Sequence, residues 1–197
     1  MIAILAYGSL IDDPGPEFII TDRLSATTPF PVEYARSSSK RRGGPTLVPV
    51  DEGLTVSARL LVLTPSTTIT EAKNMLWRRE TGNKSGIYNP PNPPTQNTVV
   101  IEVLSEFSGV ATVLFTRIAT NVTPLTPDRL AKLAIQSAQD RKPPRLARTE
   151  NGISYLQRAK NAGVITRLTD DYEAAILRQT GGTSLEHAIQ MMYDRNA

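Results

Sequence analysis

The sequence predicts an α+β protein, with strands in residues 1–122 followed by helices in residues 123–197. In the first part, short runs rich in Val, Ile and Thr are separated by Gly, Pro, Asn and Ser, which is the pattern of strands and turns. In the second part, apolar residues recur every three to four positions, which is the period of an α-helix. A chain of 197 residues can bury about 70% of its unfolded surface, so it needs no disulfide or metal to fold.

The chain begins with a buried strand that ends in a tight turn. The apolar run Ile2–Ala6 is followed directly by Tyr7-Gly8-Ser9-Leu10, and an apolar run broken by Gly-Ser is typical of a strand that stops at a turn. The backbone amides of Gly8, Ser9 and Leu10 then lack partners in a sheet, so they can converge on an anion. The alternative is that Gly-Ser simply ends the strand.

Four further segments before residue 64 are predicted strands, and Gly, Pro or Ser bounds most of them: residues 18–20, 31–36, 46–50 and 54–63. The sequence Asp51-Glu52-Gly53 is a hairpin signal between the last two, which predicts a largely antiparallel β unit. Arg36 ends the second segment and is a candidate ligand for a substrate carboxylate through a bidentate pair. Alternatively, Arg36 begins an exposed basic loop.

A helix is predicted over residues 69–80, because Thr68 and Glu71 form a capping-box pattern. At 100° per residue, Glu80 falls on the apolar face of this helix. A desolvated carboxylate has a raised pKa and is a better general base near neutral pH. The alternative is that the helix frays at Glu80, or that Glu80 pairs with one of the two preceding arginines or another cation.

The remaining elements follow from similar signals. Residues 98–104 and 110–118 are predicted strands around a hairpin at 105–109. Four helices follow: one from Thr126-Pro127-Asp128 to Lys142-Pro143-Pro144, one over 153–162, one over 170–179, and one capped by Thr183 and Glu186. The Pro-rich segment 89–94 is stiff and extended, and we interpret it as a lid beside the site or a docking arm.

The residue types exclude several kinds of site. No cysteine is present, which excludes disulfides, thiolate catalysis and cysteine-ligated metals. His187 is the only histidine, which argues against a Ser-His-Asp triad or a multi-histidine metal site. We therefore expect no metal, and we interpret His187 as a surface or packing residue.

The net charge of +3 is small, and the basic residues cluster at 36–42 and 141–148. Neither cluster contains interleaved aromatic residues to stack bases, so both are predicted solvated loops and no nucleic-acid partner is expected. The N-terminal apolar run is too short for a signal peptide, and no run is long enough to span a membrane. These features predict a cytoplasmic protein without a membrane partner, in which the C-terminal helices are candidates for homo-oligomer contacts.

Two motifs resemble those of the gamma-glutamylcyclotransferase-like superfamily. The first is Tyr7-Gly8-Ser9-Leu10 at the N-terminus, continued by Ile11-Asp12-Asp13-Pro14-Gly15. The second is Arg79-Glu80 followed by Lys84-Ser85-Gly86-Ile87-Tyr88, since in this family a glutamate at a helix end followed by Gly-x-Tyr carries the acid-base chemistry. The resemblance covers about residues 1–120. It implies a small mixed β-barrel with flanking helices as domain 1–122, and residues 123–197 are then a helical extension packed on it.

The resemblance also implies a reaction. A gamma-glutamyl cyclotransferase closes a γ-glutamyl group into 5-oxoproline and releases an amine or peptide, with Glu80 as general base and then general acid and no cofactor. The amides of Gly8–Leu10 would bind the substrate α-carboxylate or the developing oxyanion, and the hydroxyls of Tyr7 and Tyr88 would orient the γ-glutamyl group. Two alternatives remain: another γ-glutamyl amide-processing reaction, or a non-catalytic protein that binds a small anion or a partner.

Overall fold

The computed structural model describes residues 1–139 and 150–194. It is α+β, as predicted, and its strands are β1 (Ile2–Ala6), β2 (Ile20–Thr27), β3 (Val32–Ser38), β4 (Gly44–Pro49), β5 (Ser57–Leu63), β6 (Val100–Phe107) and β7 (Val110–Arg117). The helices are α1 (Ile69–Thr81), α2 (Pro127–Gln139), α3 (Gly152–Asn161), α4 (Thr169–Thr180) and α5 (Leu185–Asp194). None of the helices in these two ranges is long and apolar enough to cross a membrane.

The chain forms two compact units, and each contains two separate segments. The first unit consists of Met1–Phe30 and Thr55–Ala119, and the second of Pro31–Leu54 and Thr120–Ala197. This division differs from the predicted boundary after residue 122, because Pro31–Leu54 groups with the C-terminal helices. The reason is that β3 pairs with β4, while α2 and α3 pack against β4.

The first unit contains a mixed five-stranded sheet in the order β2-β5-β1-β7-β6. Strand β1 runs parallel to β7 and antiparallel to β5. Both β2 and β6 have a strand on one side only, so in the described residues the sheet is open rather than a closed barrel. Closure is absent here because β3 and β4, which we expected to continue the barrel, pair with each other.

The two faces of this sheet carry separate apolar clusters, as the alternation of side chains along a strand requires. The first face, here called the α1 face, includes Ile4 and Ala6 of β1 and packs against Leu76 of α1. The opposite face includes Leu5 of β1 and Phe115 of β7. The even-numbered residues of β1 therefore lie on the α1 face, and the odd-numbered residues lie on the opposite face.

Three strand predictions differ from the structure. The predicted strand at 18–20 contributes only Ile20, and the strand that follows it, β2, was not predicted. The hairpin at Asp51-Glu52-Gly53 is wrong, because β4 pairs with β3 whereas β5 pairs with β1 and β2. The hairpin between β6 and β7 is confirmed but shorter than predicted, with a two-residue turn at Ser108 and Gly109, whose φ angles are +51° and +79°.

The C-terminal helices agree with the sequence in number and approximate position. The start of α5 differs by one residue, because the Ser184 hydroxyl accepts a hydrogen bond from the His187 amide at 3.1 Å. His187 itself is exposed, and its Nδ1 lies 3.1 Å from the Thr183 hydroxyl. The predicted stop at Lys142-Pro143-Pro144 and the basic cluster 141–148 lie outside the described residues.

The basic cluster 36–42 is not a solvated loop throughout. Arg36 lies within β3. The guanidinium of Arg41 stacks on the ring of Tyr155, 3.7 Å from its centroid, and Arg41 Nε lies 3.5 Å from Glu150. These two arginines are therefore part of the packed second unit, whose apolar surface shields them from solvent.

Close packing around Gly152 in the second unit leads to a first prediction. A Cβ atom on Gly152 would lie 2.8 Å from Ala134 Cα and 2.9 Å from Pro45 Cδ. We expect Gly152→Ala to lower the free energy of unfolding by about 1–3 kcal/mol, because β4, α2 and α3 must separate. Urea unfolding would measure this, with exposed Lys132→Ala on α2 as the control. Equal stability of the two variants would contradict the tight contact.

The N-terminus of α1 leads to a second prediction. The amide of Thr68 donates to Glu71 Oε2 at 2.8 Å, as does its hydroxyl, so the predicted capping box is confirmed. These hydrogen bonds, the backbone one first, lower the pKa of Glu71. Because the folded-state pKa lies below the unfolded value of about 4.3, the stabilisation is present above that pH. It is lost as the pH falls through the folded-state pKa.

We therefore expect Glu71→Gln to remove part of the acid sensitivity of α1. The stability difference between wild type and variant should shrink as the pH is lowered from about 6 to about 3, measured by urea unfolding at each pH. A difference that stays constant over this range would show that the charge of Glu71 contributes nothing.

Candidate functional site

The 3₁₀ turn Gly8–Leu10 follows β1 directly. Gly8 has a φ of +66°, a left-handed conformation that favours glycine. The Ile11 amide donates to Gly8 O at 3.2 Å. Ile11 is the first residue whose amide finds an acceptor within this turn. The amides of Gly8, Ser9 and Leu10 come before it in the chain, so the turn itself supplies no acceptor for them. Among the described residues, none of these three amides donates a backbone hydrogen bond of a turn or loop, and successive amides of this kind can bind an anion.

Glu80 lies in the last turn of α1 and is half-buried. Both preceding arginines bind elsewhere: Arg78 Nε donates to Glu17 Oε2 at 2.8 Å, and Arg79 Nη2 donates to Asp13 O at 2.6 Å. Across residues 1–139 and 150–194, no group forms a hydrogen bond or ion pair with the Glu80 carboxylate. The alternative that Glu80 forms a structural ion pair is therefore not found in this part of the chain.

The same hydrogen bonds connect the last turn of α1 to the turn after β1. Arg79, the neighbour of Glu80, binds the carbonyl of Asp13, and the Asp13 amide donates to Ser9 O at 3.0 Å. The two segments that carry the resemblance are thus linked by two consecutive hydrogen bonds. This linkage places the carboxylate-bearing turn and the amide-bearing turn in one neighbourhood of the first unit.

Tyr88 belongs to the apolar cluster on the α1 face, together with Leu10 and Leu76. Its hydroxyl accepts a hydrogen bond from the Ile101 amide at 2.8 Å, and its own amide donates to Asn74 Oδ1 at 2.8 Å. Since β6 is an edge strand, Tyr88 occupies part of its free edge. Tyr88 is therefore held at both its backbone and its hydroxyl.

The register of the strands shows where the Tyr88 hydroxyl lies along the strand direction of the sheet. Ile4 pairs with Leu114 in the parallel ladder. Extending this register by two residues puts Thr116 level with Ala6, the last residue of β1. Ile101 pairs with Thr116. The amide that binds Tyr88 is thus level with the end of β1 and two strands away from it, a distance of about 10 Å. The register brings Tyr88 to the same end of the sheet as Gly8–Leu10.

Tyr7 lies on the other face of the sheet. Its ring packs edge-on against Phe30, with centroids 6.0 Å apart, and its hydroxyl donates to Thr116 O at 3.3 Å. The structure thus places Tyr7 in the cluster opposite α1, away from the face that carries Tyr88. Its contacts are those of a packing residue.

Arg36 belongs to the second unit, where it lies in β3 opposite Thr46. Partial burial lowers the pKa of its guanidinium. The structure does not place Arg36 in the unit that contains Gly8–Leu10 and Glu80.

A groove of about 470 Å³ lies beside α1, between the helix and residues 14–18. Four residues of the helical end line it: Met75, Arg78, Arg79 and Gly82. Glu80 is about 100° or more from each of these around the helix axis, and none of the residues predicted for the site lines the groove. The groove therefore lies on a different side of α1 from Glu80.

The sequence interpretation missed Asn74 and Glu17, and it quoted Asp13 in the first motif without giving it a role. Each of the three forms a hydrogen bond that orders the chain around the candidate site. Their partners are distant in sequence, and no local sequence pattern predicts such contacts.

Within the two described ranges, no group of three or more His, Asp or Glu side chains could hold a metal ion. Comparison with protein-family models, with curated proteins and with solved structures found no match.

Proposed function

We propose that this protein is a gamma-glutamyl cyclotransferase of the gamma-glutamylcyclotransferase-like superfamily, and that its first unit is the counterpart of the family barrel. The observation that supports this most is the state of Glu80. Glu80 is half-buried as a residue, and its carboxylate has no partner among the described residues. Both preceding arginines bind the loop that follows Gly8–Leu10. A structural glutamate would use one of these cations, whereas a general base must be left available.

The chemistry assigns one role to each part of the site. The protonated α-amine of the substrate first loses one proton to solvent and becomes nucleophilic. Glu80 accepts a second proton from the α-nitrogen as its bond to the γ-carbon forms. Protonated Glu80 then gives this proton to the departing nitrogen as the original γ-carbon–nitrogen bond breaks. The amides of Gly8–Leu10 bind the substrate α-carboxylate or the oxyanion formed at the γ-carbonyl.

Intramolecular attack reduces what the protein must supply. Nucleophile and electrophile belong to one substrate, so holding the folded conformer provides much of the rate gain. The links from Arg79 to Asp13 and from Asp13 to Ser9 would keep base and amides at a fixed separation.

The test is detection of 5-oxoproline by mass spectrometry after incubation with a panel of γ-glutamyl amino acids, peptides and amines. Formation of 5-oxoproline together with one released amine would establish the reaction class. Binding of a γ-glutamyl compound without turnover would favour the non-catalytic alternative, because the turn amides can bind a carboxylate without any base. Release of free glutamate instead would indicate another γ-glutamyl amide reaction.

A further inference from the structure

We propose that Asn74 is a positioning residue, which holds Tyr88 so that its hydroxyl proton is available to donate a hydrogen bond to the ligand. This inference rests on the proposed function for the identity of the ligand. It concerns a residue that no sequence motif singled out, in the middle of α1.

The first step is the direction of the hydrogen bond at Tyr88. A tyrosine hydroxyl carries one proton to donate and can accept from other donors. In this structure it accepts from the Ile101 amide, and no group in residues 1–139 or 150–194 accepts its proton. The proton is therefore available to an oxygen of a bound molecule.

The second step is how Tyr88 is kept in place. The returning segment before it contacts α1 at three points. Asn74 Oδ1 accepts from the Tyr88 amide at 2.8 Å, Arg78 Nη1 donates to Gly86 O at 2.9 Å, and Gly86 lies against Trp77 so closely that a Cβ atom would be 3.0 Å from the indole. Asn74 is the contact that acts on Tyr88 itself.

The third step is the location of the available proton. The Ile101 amide is level with the end of β1, and Tyr88 packs in the same cluster as Leu10. An acceptor for the proton would therefore be a carboxylate or carbonyl oxygen of a molecule bound at the Gly8–Leu10 turn. A γ-glutamyl group offers both kinds of oxygen.

The test is a double-mutant cycle between Asn74→Ala and Tyr88→Phe. We expect each single variant to lower kcat/KM about tenfold, the size of one lost hydrogen bond to substrate. If Asn74 acts through Tyr88, the double variant loses no more than Tyr88→Phe alone. Asn74→Asp keeps an oxygen acceptor and should restore most of the activity. Multiplying losses in the double variant would overturn the proposal.

A matched control exists in the second unit. Asn121 Oδ1 accepts from the Ser37 amide at 2.7 Å, so Asn121→Ala removes the same kind of hydrogen bond from a residue of the second unit. We expect it to leave kcat/KM unchanged. An equal loss of activity in Asn121→Ala would show that the effect is only structural and would overturn the proposal.

Hydrogen exchange provides a readout that needs no turnover. The Ile101 amide is protected by the Tyr88 hydroxyl, so its exchange should be at least tenfold faster in Asn74→Ala and in Tyr88→Phe, and unchanged in Asn121→Ala. If no γ-glutamyl compound is converted but exchange rises as expected, the proposed function fails and the positioning by Asn74 stands. Unchanged exchange at Ile101 in Asn74→Ala would overturn the positioning itself.

Discussion

Glu80→Gln is expected to abolish 5-oxoproline formation, with a loss of about 10²–10⁴ in kcat, the usual contribution of a general base. Glutamine has the size of glutamate but cannot accept the proton of the α-amine. The variant should remain folded, because no described residue binds the Glu80 carboxylate. Its charge also lies at the C-terminal end of α1, where the helix dipole disfavours an anion. Stability should therefore stay constant or rise by up to about 1 kcal/mol.

The matched control is Glu71→Gln, which removes the other glutamate of the same helix. Activity and thermal unfolding of both variants would be measured on one preparation. We expect opposite patterns, because Glu71 supports the start of α1 and takes no part in the proposed chemistry. A folded Glu80→Gln variant with wild-type turnover would exclude Glu80 as the base. A variant that is inactive because it has unfolded would instead show that Glu80 is structural.

Helix α1 was predictable because its signals are local. Thr68 and Glu71 mark its start within one turn, and Gly82 ends it in a left-handed conformation with φ of +77°. The strand and turn at Ile2–Ala6 and Gly8–Leu10 were equally local. In contrast, β2 is a half-exposed edge strand that includes Asp22 and Arg23, so it lacks the apolar pattern by which buried strands are recognised.

The site was predictable only in part, since its assembly depends on contacts between distant segments. Alternation along β1 implies that Ala6 and Tyr7 face opposite ways, but the sequence does not say which face α1 covers. For this reason Tyr7 and Tyr88 were both candidates, although only Tyr88 lies on the α1 face. The role of Arg36 stays a prediction. Arg36 lies in β3, and no local pattern indicates that this strand belongs to the same unit as the C-terminal helices.

Glu33→Ala is expected to lower the stability of the second unit by about 3 kcal/mol or more. Glu33 is 3% exposed, and its carboxylate accepts hydrogen bonds from the Tyr34 amide at 2.9 Å, the Thr166 hydroxyl at 2.6 Å and the Leu168 amide at 3.1 Å. Alanine would leave these donors buried without an acceptor, and each such group costs about 1–3 kcal/mol. It would also remove a negative charge from the N-terminal end of α4, where the helix dipole favours one.

Glu33→Gln separates the loss of the charge from the loss of all three hydrogen bonds. Glutamine keeps one acceptor oxygen and replaces the other with an amide NH2 group, which cannot accept from the Leu168 amide. We expect a smaller loss than for alanine, confined to the start of α4. Urea unfolding would give the total, and hydrogen exchange at Leu168 would locate it, with faster exchange in both variants. If Glu33→Ala were as stable as wild type, water would have to reach the three donors. The Glu33 carboxylate would then contribute nothing to holding β3 against the segment that precedes α4.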